Sequence, residues 1–232
     1  MTAGDGDLQA LRQPVRSYML RAGRITRAQR RALDELLPRW GLAFASGPID
    51  LDRVFGRQAP CVLEIGFGDG ATLVELAAQS PQVDFIGIEV HPPGIGHCLL
   101  GIESRGLTNV RLIAHDAVGV LQSMIAPASL DEVLLQFPDP WPKKRHHKRR
   151  IVQPAFASLV ASRLKPGGVF RLATDWEPYA DCMLEVLNAE PGLVNAAEGG
   201  RFVERPDRGI TRFENRGKRL GHRVFDLEYW RA

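Results

Sequence analysis

The chain has 232 residues, of which 44% are hydrophobic and 25% are charged, so it is an ordinary globular protein that can bury one sizeable α/β core. No apolar run approaches the roughly 20 residues that cross a bilayer, and the start of the chain lacks a signal-peptide core, so we expect a cytoplasmic protein with no membrane partner. The three cysteines lie far apart without a C-x-x-C pair, which argues against a zinc or redox site. The net charge of +3 conceals three basic segments, with net charges of +5, +6 and +5 over residues 1–31, 143–150 and 201–223, and this segregation predicts a basic face for RNA or DNA.

The amino-terminal part of the chain divides into a polar stretch and a helix. Residues 1–15 offer little apolar surface, so we predict that they are disordered, ahead of one domain that covers residues 16–232. Thr26-Arg27-Ala28-Gln29 is a capping-box pattern, which predicts a helix that begins at Thr26 and ends before Pro38. The arginines around the start of this helix form a basic arm that could contact phosphates.

The middle of the chain alternates between strand and helix patterns. A buried-strand run at residues 61–65 breaks into the glycines Gly66, Gly68 and Gly70, which let a backbone turn tightly and approach a nucleotide. We predict a helix over residues 71–79, a second helix over residues 151–164, and further strands at residues 84–90, 110–114, 130–137, 169–174 and 224–230. The last of these strands is expected at or near the sheet edge. The alternation predicts an α/β fold with a mostly parallel, Rossmann-like sheet and helices on both faces.

Acidic side chains recur where the predicted parallel strands end. Because these ends meet at one edge of such a sheet, five carboxylates should converge on one crevice. Either of the acids at positions 116 and 175 could instead be a helix cap. The five residues are Glu64, Glu89, Asp116, Asp139 and Asp175.

The stretch from Phe137 to Arg150 combines a rigid carboxylate with a strip of cations. Prolines on both sides of Asp139 fix the backbone and remove amide donors, so we expect a stiff loop at the end of a strand. Six Lys and Arg side chains within residues 143–150 cannot be buried, so we expect an exposed run that suits a polyanion. Trp141 could stack on a base or pack in a core. The adjacent histidines His146 and His147 have no third metal ligand in view, so we expect no metal there.

The glycine loop alone leaves the bound nucleotide open. Glu89 stands where a ribose-binding acid stands in either an NAD or an S-adenosylmethionine site. The acid-lined crevice favours S-adenosylmethionine, which carries positive charge, over a pyrophosphate. A nicotinamide-dependent oxidoreductase and a non-catalytic RNA-binding protein are the alternatives.

Several motifs together resemble the bacterial-type tRNA (guanine-N7-)-methyltransferases. The resemblance runs from about Arg16 to Trp230, and its most specific part is the stretch from Pro138 to Arg150. The other motifs are Glu64-Ile65-Gly66-Phe67-Gly68-Asp69-Gly70, Gly87-Ile88-Glu89, Thr174-Asp175, Thr211-Arg212-Phe213-Glu214 and Leu220-Gly221-His222.

The resemblance implies a class I methyltransferase fold, S-adenosyl-L-methionine as cofactor and a guanine in the tRNA variable loop as target. It implies that the cofactor is bound by Glu64, Glu89, Asp116 and Asp139, beside the glycines Gly66 and Gly68, and that Asp139 is also catalytic. The implied substrate contacts are Lys143, Asp175, Thr211, Arg212, Phe213 and Glu214. The implied RNA contacts are Arg145, His146, His147, Lys148, Arg149 and Arg150.

Methylation at guanine N7 makes limited demands on such a site. N7 is an acceptor without a proton, so no general base is required, and orientation should supply most of the acceleration. We expect Asp139 to stabilise the positive charge that develops on the base, and Asp139 or Asp175 to accept hydrogen bonds from guanine N1 and N2. The sequence leaves open whether the protein is a monomer or a homodimer.

Overall fold

The computed structural model describes residues 16–19, 23–204, 214, 221 and 223–232, and within them the strands form a single seven-stranded sheet. The strand order is β3-β2-β1-β4-β5-β7-β6. Strands β1 to β5 pair in parallel, whereas β7 runs antiparallel to both of its neighbours. The strands are β1 Cys61–Ile65, β2 Asp84–Ile88, β3 Val110–Ile113, β4 Leu130–Gln136, β5 Leu164–Thr174, β6 Leu193–Asn195 and β7 Phe225–Arg231.

Helices cover both faces of the sheet, which confirms the predicted α/β architecture. One apolar layer joins the sheet to α4, α5, α2 and the π-helical turn before α2, and the other joins it to α3, α6, α7 and α8. The helices are α1 Arg27–Arg31, α2 Leu37–Trp40, α3 Leu51–Phe55, α4 Ala71–Gln79, α5 Pro92–Arg105, α6 Ala117–Ser123, α7 Pro154–Arg163 and α8 Glu177–Asn188, with a π-helical turn at Ala32–Leu36 and a 3₁₀ helix at Lys144–Arg149.

Strand β1 shows why the central strands are apolar throughout. Successive side chains of a strand point to opposite faces, and helices cover both of them. Leu63 and Ile65 pack in the layer with α6 and α7, whereas Val62 packs in the layer with α4 and α5. Glu64 shares the face of Val62, so β1 carries a carboxylate into an otherwise apolar layer.

The predicted capping box is present, but the helix does not end before Pro38. The Gln29 backbone amide donates to the Thr26 hydroxyl oxygen at 3.2 Å, and the Thr26 backbone amide donates to the Gln29 side-chain oxygen at 2.9 Å. The chain then widens into the π-helical turn, where the Leu37 amide donates to the Ala32 carbonyl. Since Pro38 stands in the first turn of α2, where its missing amide costs little, the helical path continues to Trp40.

The main differences from the sequence prediction concern helix α7, strand β5 and strand β6. Helix α7 begins at Pro154 rather than 151, because proline favours the first helical turn. Strand β5 begins at Leu164 rather than 169, and its pairing with β4 is irregular between Leu130 and Glu132. Strand β6 was not predicted, since three residues carry too short a pattern. It forms the sheet edge, so β7 lies next to the edge, in agreement with the prediction.

Within the described ranges, the helices are all too short or too polar to be candidates for crossing a membrane. Residues 1–15, predicted to be disordered, lie outside the described residues.

Candidate active site

A cavity of about 300 Å³ opens at the carboxyl ends of the parallel strands. Its wall includes five of the predicted site residues, which come from four separate strand ends, as the alternating pattern requires. Asp139 is exposed there, whereas the side chains of the other acids are partly buried. The five residues are Gly66, Gly68, Glu89, Asp116 and Asp139.

Glu89 holds the glycine loop in place. One of its carboxylate oxygens accepts from the Gly68 amide at 2.9 Å, and the other accepts from the amides of Val90 at 2.7 Å and His91 at 3.1 Å. Gly68 has a φ of 63°, a left-handed conformation that glycine adopts without strain. A Cβ atom on Gly94 of α5 would lie 2.1 Å from the Gly68 carbonyl oxygen. The loop is therefore fixed by β2 on one side and by α5 on the other.

Glu64 lies behind the cavity rather than in its wall. Glu64 is only 3% exposed, and its Oε2 atom has no hydrogen-bond partner among the described residues. Burial raises the pKa of this carboxyl to about 8, with further contributions from the charges of Glu89 and Asp69. A buried acid without a cation is unfavourable as an anion, and a positively charged ligand group would stabilise the ionised form.

Asp116 combines the two roles that the sequence left open. Its Oδ1 accepts from the Gly119 amide at 3.0 Å as the N-cap of α6, and the residue also lines the cavity. The neighbouring His115 ring stacks on Phe44, with 3.8 Å between the ring centroids. Helix capping and ligand contact are compatible here because a carboxylate can accept several hydrogen bonds.

The loop that carries Asp139 has an unusual backbone. Phe137 and Trp141, on either side, have φ values of 52° and 45°, and each precedes a proline. Proline disfavours helical conformations in the residue before it, and a left-handed residue other than glycine costs about 1–3 kcal/mol. Such a conformation persists only if the surrounding structure holds it. One of the restraints is the bond from the Phe137 amide to the Ala173 carbonyl at 2.7 Å.

The Trp141 ring could have been exposed for stacking on a base or packed in a core, and the structure shows it packed. It is 7% exposed, and its Nε1 donates to the Ser17 carbonyl at 3.1 Å. The guanidinium carbon of Arg149 lies 4.9 Å from the ring centroid. A ring enclosed in this way is not available to stack on a base.

The segment from residue 17 to residue 19 is a part of the site that sequence reasoning missed. Ser17, Tyr18 and Met19 all line the cavity, where the bond from Trp141 anchors them. No periodic pattern marks these residues. Their contact with a residue 124 positions away depends on the complete fold.

The basic run forms the exposed 3₁₀ helix and borders a second groove, of about 810 Å³. Lys148 and Arg149 line this groove together with Arg16, so two of the three basic segments meet. The third lies largely outside the described residues. Partial burial, followed by the charges of nearby cations such as Arg145, lowers the pKa of His146.

Arg150 contradicts the expectation that the run is exposed throughout. It is only 4% exposed, and its Nε donates to the Pro140 carbonyl at 3.0 Å. Arginine can be buried where its donors find carbonyl acceptors. Arg150 also borders the groove, but its Nε and Nη1 donate to protein carbonyls, so the RNA contact at this position stays a prediction.

The predicted substrate residues are only partly assembled. Lys143 and Asp175 are exposed and lie outside the cavity wall, although Asp175 and Asp139 follow neighbouring parallel strands. Glu214 is fully buried. Thr211, Arg212 and Phe213 lie outside the described residues. In the part of the chain that the structure describes, no group of three or more His, Cys, Asp or Glu side chains is arranged to hold a metal ion.

Comparison with known proteins decides the family. A family model described as "Putative methyltransferase" matches residues 58–227. The tRNA (guanine-N(7)-)-methyltransferase of Stutzerimonas stutzeri is 55% identical over 230 residues, which is 99% of this chain and 97% of that protein. The protein of the same name from Pseudomonas aeruginosa PAO1 is 56% identical, over 94% of this chain and 90% of the relative. The chain belongs to the tRNA (guanine-N(7)-)-methyltransferase family.

Solved structures of more distant proteins share the fold of this methyltransferase. The 16S rRNA methyltransferase KamB superposes with a TM-score of 0.56 at 18% identity and covers 78% of this chain and 92% of its own. The 16S rRNA (adenine(1408)-N(1))-methyltransferase of Catenulisporales acidiphilia has a TM-score of 0.53 at 17% identity, over 81% of this chain and 96% of its own. The fold is therefore that of the class I methyltransferases, as predicted.

Proposed function

We propose that this protein transfers the methyl group of S-adenosyl-L-methionine to N7 of a guanine in the variable loop of tRNA. The observation that carries the proposal is the 55% identity over 99% of the chain to a tRNA (guanine-N(7)-)-methyltransferase. Because this relationship includes the glycine loop and the basic run together, it leaves no support for an oxidoreductase or a non-catalytic RNA-binding protein.

The residues around the cavity fit the proposed cofactor. The buried Glu64 carboxyl, with its raised pKa of about 8 and its unpartnered Oε2 among the described residues, suits the ammonium group of an amino acid. Three backbone amides donate to the Glu89 carboxylate, which lies at the cavity wall, and the proposed role of this carboxylate is to bind the cofactor ribose. Gly66 and Gly68 let the backbone approach the ligand, and Asp116 lines the same wall.

The reaction needs no proton removed from the target atom. When bound, the cofactor would supply a methyl group on a sulfonium sulfur. The N7 lone pair would form the new N–C bond, and the electron pair of the C–S bond would remain on sulfur. The positive charge thus passes to the base. Asp139 is exposed at the cavity wall, where its carboxylate stabilises the charge that develops on guanine. Its rigid loop contributes orientation, a term that reaches about 7–11 kcal/mol in well-aligned systems.

The exposed part of the basic run binds the RNA backbone beside this cavity. Arg16, Lys148 and Arg149 line the adjoining groove, and Lys144 and Arg145 extend the positive surface. Arginine and lysine in such a strip bind phosphates without reading the base. Selection of guanine is assigned to Asp139 or Asp175, whose carboxylate accepts from the N1 and N2 donors. We place this activity in the cytoplasm, together with its tRNA substrate.

Methyl transfer to defined RNA tests the proposal. The protein is incubated with methyl-labelled S-adenosylmethionine and an unmodified tRNA transcript, and the labelled nucleoside is identified after digestion. The expected product is 7-methylguanosine at a single variable-loop position. A matched transcript that carries 7-deazaguanosine there lacks only the acceptor nitrogen and should take no label. Label on the deaza transcript, or on another atom of the base, would overturn the proposal.

A further inference from the structure

Arg150 is the last cation of the basic run, yet it belongs to the protein interior. Lys148, Arg149 and Arg150 all border the groove, but Lys148 is exposed and Arg149 is half-buried, whereas Arg150 is buried. Arg150 is 4% exposed, so its guanidinium has exchanged water for protein partners. A buried guanidinium is stable only when such partners are well placed, which makes its contacts informative.

The guanidinium of Arg150 joins two of the segments that carry site acids. Its Nε donates to the carbonyl of Pro140, the residue after Asp139, at 3.0 Å. Its Nη1 donates to the Pro178 carbonyl, in the first turn of α8, at 3.4 Å. This helix begins two residues after Asp175. One side chain therefore links the loop after β4 to the helix after β5.

Tyr179 provides a rigid base for this link. It is fully buried, and its ring centroid lies 4.7 Å from the guanidinium carbon of Arg150. Its hydroxyl accepts from the Val152 amide at 3.2 Å, so the chain that leaves the basic run is held at the same point. Stacking on the ring and donation to two carbonyls use the planar fork of arginine, which lysine cannot reproduce.

The Asp139 loop needs external restraints of this kind. The left-handed conformations of Phe137 and Trp141 precede prolines and are locally unfavourable. Phe137 and Trp141 lie at the two ends of the loop. The Phe137 amide donates to the Ala173 carbonyl, and the Trp141 indole donates to the Ser17 carbonyl. The bond from Arg150 acts at the centre, one residue from the carboxylate.

We propose that Arg150 is a positioning residue that fixes the backbone of Asp139 relative to the segment after Asp175, rather than an RNA contact. The inference rests on the proposed methyl transfer. In the tRNA complex, phosphates engage the exposed cations of the run, and Arg150 keeps the carboxylate in the orientation that charge stabilisation requires.

Full-length Arg150→Lys and Arg150→Gln variants test this role, with Arg145→Gln as the control from the exposed part of the run. Single-turnover rates at saturating tRNA and S-adenosylmethionine are compared with tRNA dissociation constants at several salt concentrations. Both Arg150 variants should lower the rate about 30- to 100-fold, as expected for a misplaced catalytic group, with tRNA affinity within about twofold. Arg145→Gln should show the binding defect that the Arg150 variants lack, with weaker tRNA binding and a shallower salt dependence.

Two further measurements distinguish a positioning defect at Arg150 from a general loss of folding and from failure of the proposed function. Arg150→Lys keeps the charge and the stem, so it covers the case in which Arg150→Gln fails to fold. Arg150→Ala is assayed with added guanidinium ion against equal sodium chloride, and partial recovery of the rate at constant tRNA affinity supports positioning. A normal rate with a salt slope lowered by about 0.7–0.9 would instead make Arg150 a phosphate contact. Loss of rate in parallel with thermal stability and cofactor affinity, without rescue, would also overturn the inference, whereas an inactive wild type would count against the proposed function alone.

Discussion

At the scale of single residues, acids with the same position at a strand end differ in what they do. Glu64 is buried behind the cavity, Glu89 braces the glycine loop, and Asp116 caps α6 while it lines the wall. Asp139 is exposed at the opening, and Asp175 lies outside the wall. The sequence predicted that these carboxylates would share an edge of the sheet. It could not predict their burial, because burial depends on α5, the amino-terminal segment and the turns that pack around them.

The raised pKa of Glu64 makes the stability of the ligand-free protein depend on pH. Between its ordinary value of 4.5 and about 8, folded Glu64 keeps a proton that the unfolded chain has lost. Unfolding then releases a proton, so stability from this site is lost as pH rises through that window, at a slope of at most about 1.4 kcal/mol per pH unit. Glu64→Gln should remove this loss and be more stable than wild type at pH 8, while it binds S-adenosylmethionine more weakly.

Urea unfolding at pH 5.5 and pH 8 measures the effect, with the exposed Glu198→Gln as control. The difference in unfolding free energy between Glu64→Gln and wild type should grow with pH, whereas the control should keep the wild-type profile. Equal differences at both pH values would show that Glu64 is ionised in the folded protein.

At the scale of elements, the site is a junction between the loop after β4 and a segment far away in sequence. The indole of Trp141 bonds to Ser17, and Ser17, Tyr18 and Met19 form part of the cavity wall. We infer that this segment helps to retain the cofactor.

Trp141→Phe tests the retention. Phenylalanine keeps a ring for Arg149 but loses the donor to Ser17, a hydrogen bond worth about 1 kcal/mol. Dissociation of S-adenosylmethionine, followed by stopped flow, should therefore become about fivefold faster, since 1.4 kcal/mol corresponds to a factor of ten. Trp230→Phe, an exposed position on β7, is the control. An unchanged rate constant in Trp141→Phe would mean that the segment does not close on the cofactor.

The 3₁₀ helix carries a second prediction at this scale. Replacing Lys144, Arg145 and Lys148 by Gln should flatten the plot of log affinity for tRNA against log salt by about 0.7 per single-strand contact, or roughly 2 in total. Cofactor affinity should not change. A double change of Arg53 and Arg105 to Gln, outside the run, controls for the loss of positive charge. An unchanged slope in the triple variant would remove this helix from the RNA interface.

At the scale of the whole molecule, the fold follows from patterns in the sequence more closely than the site does. The order of strands and helices is a matter of local periodicity, so β1 to β5 and β7 could all be predicted. The three-residue β6 and the π-helical turn before Pro38 could not, because their formation depends on packing. The burial of Arg150 and Trp141 is likewise set by partners distant in the chain. In the sequence, Arg150 looks like a surface cation, and Trp141 could either stack on a base or pack in a core; only the assembled loops decide their burial.

We propose above that a rigidly held Asp139 promotes methyl transfer to guanine N7. The most direct measurement is the rate of 7-methylguanosine formation on a tRNA transcript by wild type and by Asp139→Asn, which keeps the size of the side chain but removes its charge. The rate should fall about 100-fold or more, as for other groups that stabilise developing charge. The affinity for tRNA should stay within about twofold of wild type. A near-normal rate in Asp139→Asn, with 7-methylguanosine still the product, would contradict the role of this carboxylate.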